Sequence, residues 1–288
     1  MSISAKGGIH RTAREGFKEG TFYEQYRPEY TDELVSHVVE NLYIENNDVH
    51  YDILELGAGT GKFTRKILER FTNLQKSRYL ASDPLKDFLS VLRQQTQDLG
   101  TLVCSASNIP LPNSSVQNII CAQCFHWFAT EENVKEISRV LVTGGRLILV
   151  WLTRDFQIGW VRKMEDVLTL YYDGTPRKIL GEWEKSFDGC LLFRCIEHVE
   201  SIGNNAMKGN KNFMLNHFMS ISVIVRLDKA EKQRAERKFQ AVLDTYFSDE
   251  EDIVLPLKSE YFCAGENIAI GDVVFSYGLL NITKSEIN

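Results

Sequence analysis

At 288 residues the chain is long enough to bury a full core as one large α/β domain, and 43% hydrophobic with 25% charged residues is an ordinary globular composition. A formal net charge of -6 argues against a basic face that could displace counterions from a nucleic-acid backbone, so no nucleic-acid partner is expected. The opening MSISAKGGIHRTAREGF has no apolar core for a signal peptide, and no later run approaches the roughly 18 apolar residues of a membrane span, which points to a cytoplasmic protein.

In chain order, TDELVSHVVENLY (31–43) predicts a helix capped by Thr31, with Leu34, Val35, Val38, Val39 and Leu42 on one face. A rhythm then begins. YDILEL is a strand, GTGKFTRKILERF a helix, RYLAS a strand, PLKDFLSVLRQQTQ a helix with proline in its first turn, and TLVCS a strand. NIICAQ is a fourth strand, TEENVKEISRVL a capped helix, and GGRLILVWL a fifth strand entered through a Gly-Gly turn. Such alternation predicts a doubly wound, mostly parallel sheet covered on both faces. After residue 154 the pattern loosens: GWVRKMEDVLTLYY and KILGEWEKSF read as helices, LLFRCIEHVESI as a strand, residues 212–247 as a helical pair, and IVLPLKSEYFCAG as a last strand. Pro256 favours the beginning of that strand or a sheet edge. The simplest account is one domain over 1–288 with helical insertions near its C-terminal half.

Six cysteines are scattered, which suits a reducing compartment. Cys121 and Cys124 form a lone C-x-x-C without a second pair or a histidine at ligand spacing, so buried free thiols are expected rather than a metal site.

The stretch ILELGAGTGKFTRKIL (53–68) joins the first strand to a helix through three alternating glycines. A phosphate loop of the form G-x-x-x-x-G-K-[ST] is refused, because Leu56 stands at its first glycine and Phe63 at its hydroxyl position. A dinucleotide turn G-x-G-x-x-G is weakened, because Lys62 occupies the third glycine position. What remains is acidic-x-Gly-x-Gly-x-Gly, carried by Glu55, Gly57, Gly59 and Gly61. This resembles the first motif of class I S-adenosylmethionine-dependent methyltransferases. Glycines would let the backbone approach the ligand, and Glu55 could organise contacts to its cationic amino-acid head. Asp83, ending the second strand, is placed to accept from both ribose hydroxyls, a duty that would serve NAD equally well.

The stretch CSASNIPLPNSSVQNIICAQCFHWF resembles the methyltransferase segment from the adenine-side turn to the fourth strand. In that match Ser105 and Ala106 fall on the adenine side and Ile109-Pro110 on a Leu-Pro-like pair. Ser105 stands where many relatives carry an acidic residue, and Gln117 where an aspartate commonly precedes the fourth strand. FYEQYRPEY (22–30) and Ala122-Gln123-Cys124-Phe125-His126-Trp127 are similar to stretches of a narrower branch that includes trans-aconitate methyltransferases and related fungal enzymes acting on small carboxylic acids.

The resemblance implies a Rossmann-like, mostly parallel seven-stranded sheet with helical lid insertions. It also implies S-adenosyl-L-methionine as cofactor, S-adenosyl-L-homocysteine as product, and a small-molecule methyl acceptor. Residues 20–152 would hold the cofactor, through Tyr26, Arg27, Glu55, Gly57, Gly59, Gly61, Asp83, Ser105, Ala106 and Gln123, and residues 153–265 would supply the acceptor side. Tyr26 and Arg27 would close over the methionine end; the alternative is a packed aromatic and a surface ion pair. His126, just past the fourth strand, is the candidate general base or acceptor contact, and a packed histidine is the alternative. Arg154, Arg162 and Arg226 are candidate clamps for an anionic acceptor, and the other histidines are read as structural. An NAD-linked oxidoreductase and a non-catalytic cofactor-binding module remain as alternatives.

Overall fold

A computed structural model describes residues 10–12, 24–45, 49–71 and 75–266. The opening stretch read for a leader lies outside these residues except for 10–12, as do Phe22 and Tyr23 of the FYEQYRPEY motif. Helix α1 (Asp32–Glu40) begins where the sequence places it. The Leu34 N–H donates to the Thr31 hydroxyl, Asp32 and Glu33 sit at the positive end of the helix, and Leu34, Val35 and Val38 are buried. Burying side chains of that size stabilises by roughly 1.5–3 kcal/mol each, more than so short a helix draws from its own backbone.

The alternation follows: β1 (Tyr51–Leu56), α2 (Lys62–Arg70), β2 (Tyr79–Ser82), α3 (Lys86–Gln95), β3 (Gly100–Leu102), β4 (Val116–Ala122), α4 (Glu131–Val140) and β5 (Leu141–Arg154). Neighbouring strand residues feed different cores: Ile53 and Ile148 pack on one face of the sheet with α1 and α2, while Leu54 and Leu149 pack on the other with α4. Pro84 stands before Leu85, the N-cap of α3, and so outside the first turn where the sequence suggested it. The Gly-Gly pair interrupts β5 instead of preceding it. Val116 pairs with Leu141 and Asn118 with Arg146, so residues 142–145 leave the regular ladder.

The remaining elements are α5 (Gly159–Thr169), β6 (Phe193–Glu200), β7 (Asn205–Gly209), α6 (Lys211–Met219), α7 (Ser222–Val225), α8 (Lys229–Tyr246) and β8 (Ile253–Glu266). Three expectations change here. KILGEWEKSF forms two 3-10 segments, Lys178–Leu180 and Glu182–Phe187, separated by left-handed Gly181. The helix expected over 212–227 breaks after Met219 into α6 and α7. Strand β7 was not anticipated, because its five residues, NAMKG, lack β-branched side chains.

The sheet order is β3-β2-β1-β4-β5-β8-β6, with β7 also on β8. Strands β1 to β5 pair in parallel, and β8 runs antiparallel to β5, β6 and β7. The seventh position expected from sequence is shared by two short strands, β6 against Glu260–Glu266 and β7 against Ile253–Leu257. Pro256 lies one residue past the β5 ladder, which ends at Arg154 and Leu257. Strand order reverses between β1 and β4, and a crevice is expected outside their carboxyl ends.

Candidate active site

A cavity of about 670 Å³ occupies that crevice. Its floor is the turn after β1. Gly57 has φ +70°, and a Cβ there would meet Cys124 Cβ and Sγ at 2.8 Å, so strain and close packing both demand glycine. The Ala58 N–H donates to the Ser82 carbonyl at 2.8 Å, and the Gly59 N–H donates to Asp83 Oδ2 at 3.0 Å. Asp83 Oδ1 accepts from the Leu85 N–H at 2.8 Å. Burial raises the Asp83 carboxyl to about 6, although the bonds from Leu85 and Gly59 pull it back. Each oxygen has one bond to the backbone and retains lone-pair capacity toward the cavity that Asp83 lines.

Glu55 also lines the cavity, but its Oε2 accepts from Thr64 Oγ1 and the Tyr79 hydroxyl, both at 2.6 Å. Burial pushes this carboxyl up to about 7 against those two bonds. Lys62 explains why a third dinucleotide glycine is absent. Its ammonium donates to the Arg27 carbonyl at 3.3 Å and pairs with Glu29, while Glu24 pairs with Arg65 and accepts from Thr60. These contacts tie residues 24–29 to the glycine turn.

The end of β4 supplies the next wall. Gln123 has φ +61°, a conformation non-glycine residues rarely hold, and is anchored by its N–H to the Val150 carbonyl and its Nε2 to the Leu152 carbonyl. Ser105 and Ala106 line the same cavity; the Ser105 and Ser107 hydroxyls are 2.8 Å apart. Gln117, at the position noted for its missing aspartate, is fully buried and joins Asp52 to the Glu45 backbone. Cys124 donates to the Leu56 carbonyl at 2.9 Å, and no three-ligand metal cluster occurs among the described residues.

His126 lines the cavity in an unexpected state. The indole N–H of Trp151 donates to its Nδ1 at 3.3 Å. An imidazole accepting at Nδ1 keeps its proton on Nε2, so the free nitrogen is a donor. Burial and the charges of Arg177 and Lys178 lower its pKa to about 3, which keeps it neutral and makes it a poor base.

Beyond the sheet, three arginines meet. Arg27, Arg154 and Arg177 all line the cavity. Arg27 donates to the Ser220 carbonyl at 3.1 Å, and Arg154 is paired with Glu165 at 2.7 Å. Arg177 lies over the Tyr172 ring at 4.7 Å, and among the described residues no carboxylate is in ion-pair range of it. Burial and the nearby charge of Arg154 lower it to about 10, with Glu165 opposing and Arg27 adding to the shift, so it stays cationic at neutral pH. His217, also on the cavity, is 2% exposed.

The structure therefore brings Arg27, Glu55, Gly57, Gly59, Asp83, Ser105, Ala106, Gln123 and His126 to one cavity. Tyr26 and Gly61 are not among the residues that line it. Tyr26 turns away to pack on Phe213 of α6, ring centroids 5.4 Å apart, and its hydroxyl accepts from Asn216. Gly61 is the N-cap of α2, where a Cβ would collide with Leu92 at 2.8 Å, so its glycine serves packing. Among the clamps considered, Arg154 reaches the cavity, whereas Arg162 bonds the Phe156 carbonyl and Arg226 bonds Tyr171 and Asp173. Arg177 and His217 were missed, since neither a loop arginine nor a histidine inside an apolar helix carries a spacing signal.

Residues 54–149 match the family described as "Methyltransferase domain". An uncharacterized methyltransferase of Schizosaccharomyces pombe is 32% identical over 223 residues, 77% of this chain and 84% of its own length. A methyltransferase-like protein of the same organism is 40% identical over 167 residues, 58% of this chain and 62% of its own, so the match spans under two thirds of that relative. A solved candidate type II methyltransferase from Anaeromyxobacter dehalogenans superposes with a TM-score of 0.55 at 19% identity, over 83% of this chain and 97% of that one, a likeness of fold.

Proposed function

Because the chain belongs to the methyltransferase family, we propose that it uses S-adenosyl-L-methionine to methylate the carboxylate of a small organic acid. One observation carries this reading: a single cavity is lined both by a glycine turn with Asp83 and by Arg27, Arg154 and Arg177.

The residues present fit the cofactor. Gly57 and Gly59 leave the turn without side chains, Asp83 has acceptor capacity for ribose hydroxyls, and Leu85, Phe88 and Ala106 give apolar walls for a base. When bound, the sulfonium supplies an activated methyl that a carboxylate oxygen takes with its lone pair by in-line displacement, the C–S electrons returning to sulfur. No proton moves in that exchange, so the site needs alignment and exclusion of water rather than a base. Arg177 and Arg154 hold the carboxylate by charge and orient it. His126 donates from Nε2 and fixes the acceptor without abstracting a proton. Residues 20–152 serve the cofactor, and residues 153–265, with Arg27 and His126, serve the acceptor.

Calorimetric titration with S-adenosyl-L-homocysteine, with NADH as comparison ligand, tests the cofactor. Binding of the former alone supports the reading, and binding of NADH alone defeats it. A radiolabelled-methyl screen of small acids, alcohols and amines then tests the acceptor: base-stable product from amines or alcohols, with none from acids, removes the carboxylate assignment.

A further inference from the structure

His217 is 2% exposed, on α6, and its Nδ1 lies 2.8 Å from the Tyr26 carbonyl. A carbonyl only accepts, so Nδ1 carries the proton and Nε2 holds a lone pair. That Nε2 is buried and has no hydrogen-bond partner, although the residue lines the cavity. Burial, followed by the charge of Arg154, lowers the ring to about 3 despite the Tyr26 bond, with Arg27 acting the same way as Arg154, so the imidazole is neutral at any ordinary pH. Beside it, Arg154 Nε is a buried donor also lacking a partner. The cavity thus has two histidines of opposite sense: His126 offers a proton, and His217 asks for one.

A buried acceptor left without a donor is costly, so a ligand that supplies one gains by it. An ammonium would answer it, but Arg154, Arg27 and Arg177 repel a cation there. A second carboxylate would set lone pair against lone pair. A hydroxyl is neutral, donates to Nε2, and can share a molecule with a carboxylate held by arginine. We propose that the acceptor is a hydroxycarboxylic acid whose hydroxyl donates to His217 Nε2 while its carboxylate meets Arg177 and Arg154. This rests on the carboxylate reading above and narrows its substrate class. His217 is then a specificity residue and takes no part in bond making.

The test uses the full chain saturated with S-adenosyl-L-homocysteine and three six-carbon probes: hexanoate, 2-hydroxyhexanoate and 3-hydroxyhexanoate, titrated calorimetrically. The expected result is that at least one hydroxy acid binds about ten- to hundredfold more tightly than hexanoate. His217→Phe abolishes that preference, so that the three acids bind alike, while His217→Gln, whose amide oxygen accepts, keeps part of it. Equal binding of all three acids overturns the hydroxyl and leaves the carboxylate reading standing. Binding of none overturns both. Weakened S-adenosyl-L-homocysteine binding in a folded His217→Phe protein assigns Nε2 to the cofactor and also overturns the proposal. The three-probe comparison on the native chain decides even if a variant fails to fold.

Discussion

The two walls of the cavity are made differently. The glycine-turn wall comes from short stretches at the ends of neighbouring parallel strands, where backbone N–H groups and one carboxylate do the holding: Gly59 to Asp83, Leu85 to Asp83, Ala58 to Ser82. The arginine wall draws Arg27, Arg154, Arg177 and His217 from four distant places, and side chains do the holding. A wall of backbone suits a ligand that never changes, and a wall of side chains can be altered one residue at a time without disturbing the sheet.

That contrast predicts separable losses. The largest belongs to Asp83→Ala, which should weaken S-adenosyl-L-homocysteine roughly hundredfold, because two hydrogen bonds to a charged acceptor vanish and two backbone donors lose theirs. Calorimetry reads it, and an unchanged Kd would remove Asp83 from the cofactor site. Next, Arg177→Gln should lower kcat/KM for an acid acceptor about tenfold or more while moving cofactor affinity less than about twofold. Equal losses on both ligands would dissolve the distinction between the walls.

Gly57→Ala should cost about 2 kcal/mol of stability, since it places a methyl 2.8 Å from Cys124 at φ +70°. Urea unfolding measures this, and a neutral result would mean that the turn relaxes. The smallest effect is on pH. Asp83 titrates near 6, above the usual carboxylate range, because it is buried; protonation removes acceptor capacity. Affinity for S-adenosyl-L-homocysteine should therefore be full above that value and fall by a few-fold as pH drops through it. Asp83→Asn should bind weakly with no such slope.

Legibility in the sequence follows the same division. The strand-helix alternation, Asp83 and the Gly57–Gly59 turn were readable because each depends on neighbours within a few residues. Gly61 and Tyr26 carry the motif letters but stand outside the cavity lining, packed against Leu92 and Phe213 from elsewhere in the chain. The position of His126 was legible but its tautomer was not, because that depends on Trp151, twenty-five positions away. Arg177 was invisible for a similar reason: what distinguishes it is that, among the described residues, no carboxylate forms an ion pair with it in the folded cavity, and no local pattern encodes that. NAMKG carries no strand signal of its own; its pairing with β8 makes it a strand.

Strand β8 has a consequence for synthesis. Its fourteen residues are the only cover along one edge of β5 among the described residues, and they begin only at Ile253, far along the chain from the end of β5 at Arg154. On the ribosome, β1 to β5 can pair early, leaving the long apolar β5 with a naked edge until residues 253–266 emerge. The nascent sheet would then carry an unpaired margin open to pairing with another chain until β8 closes it.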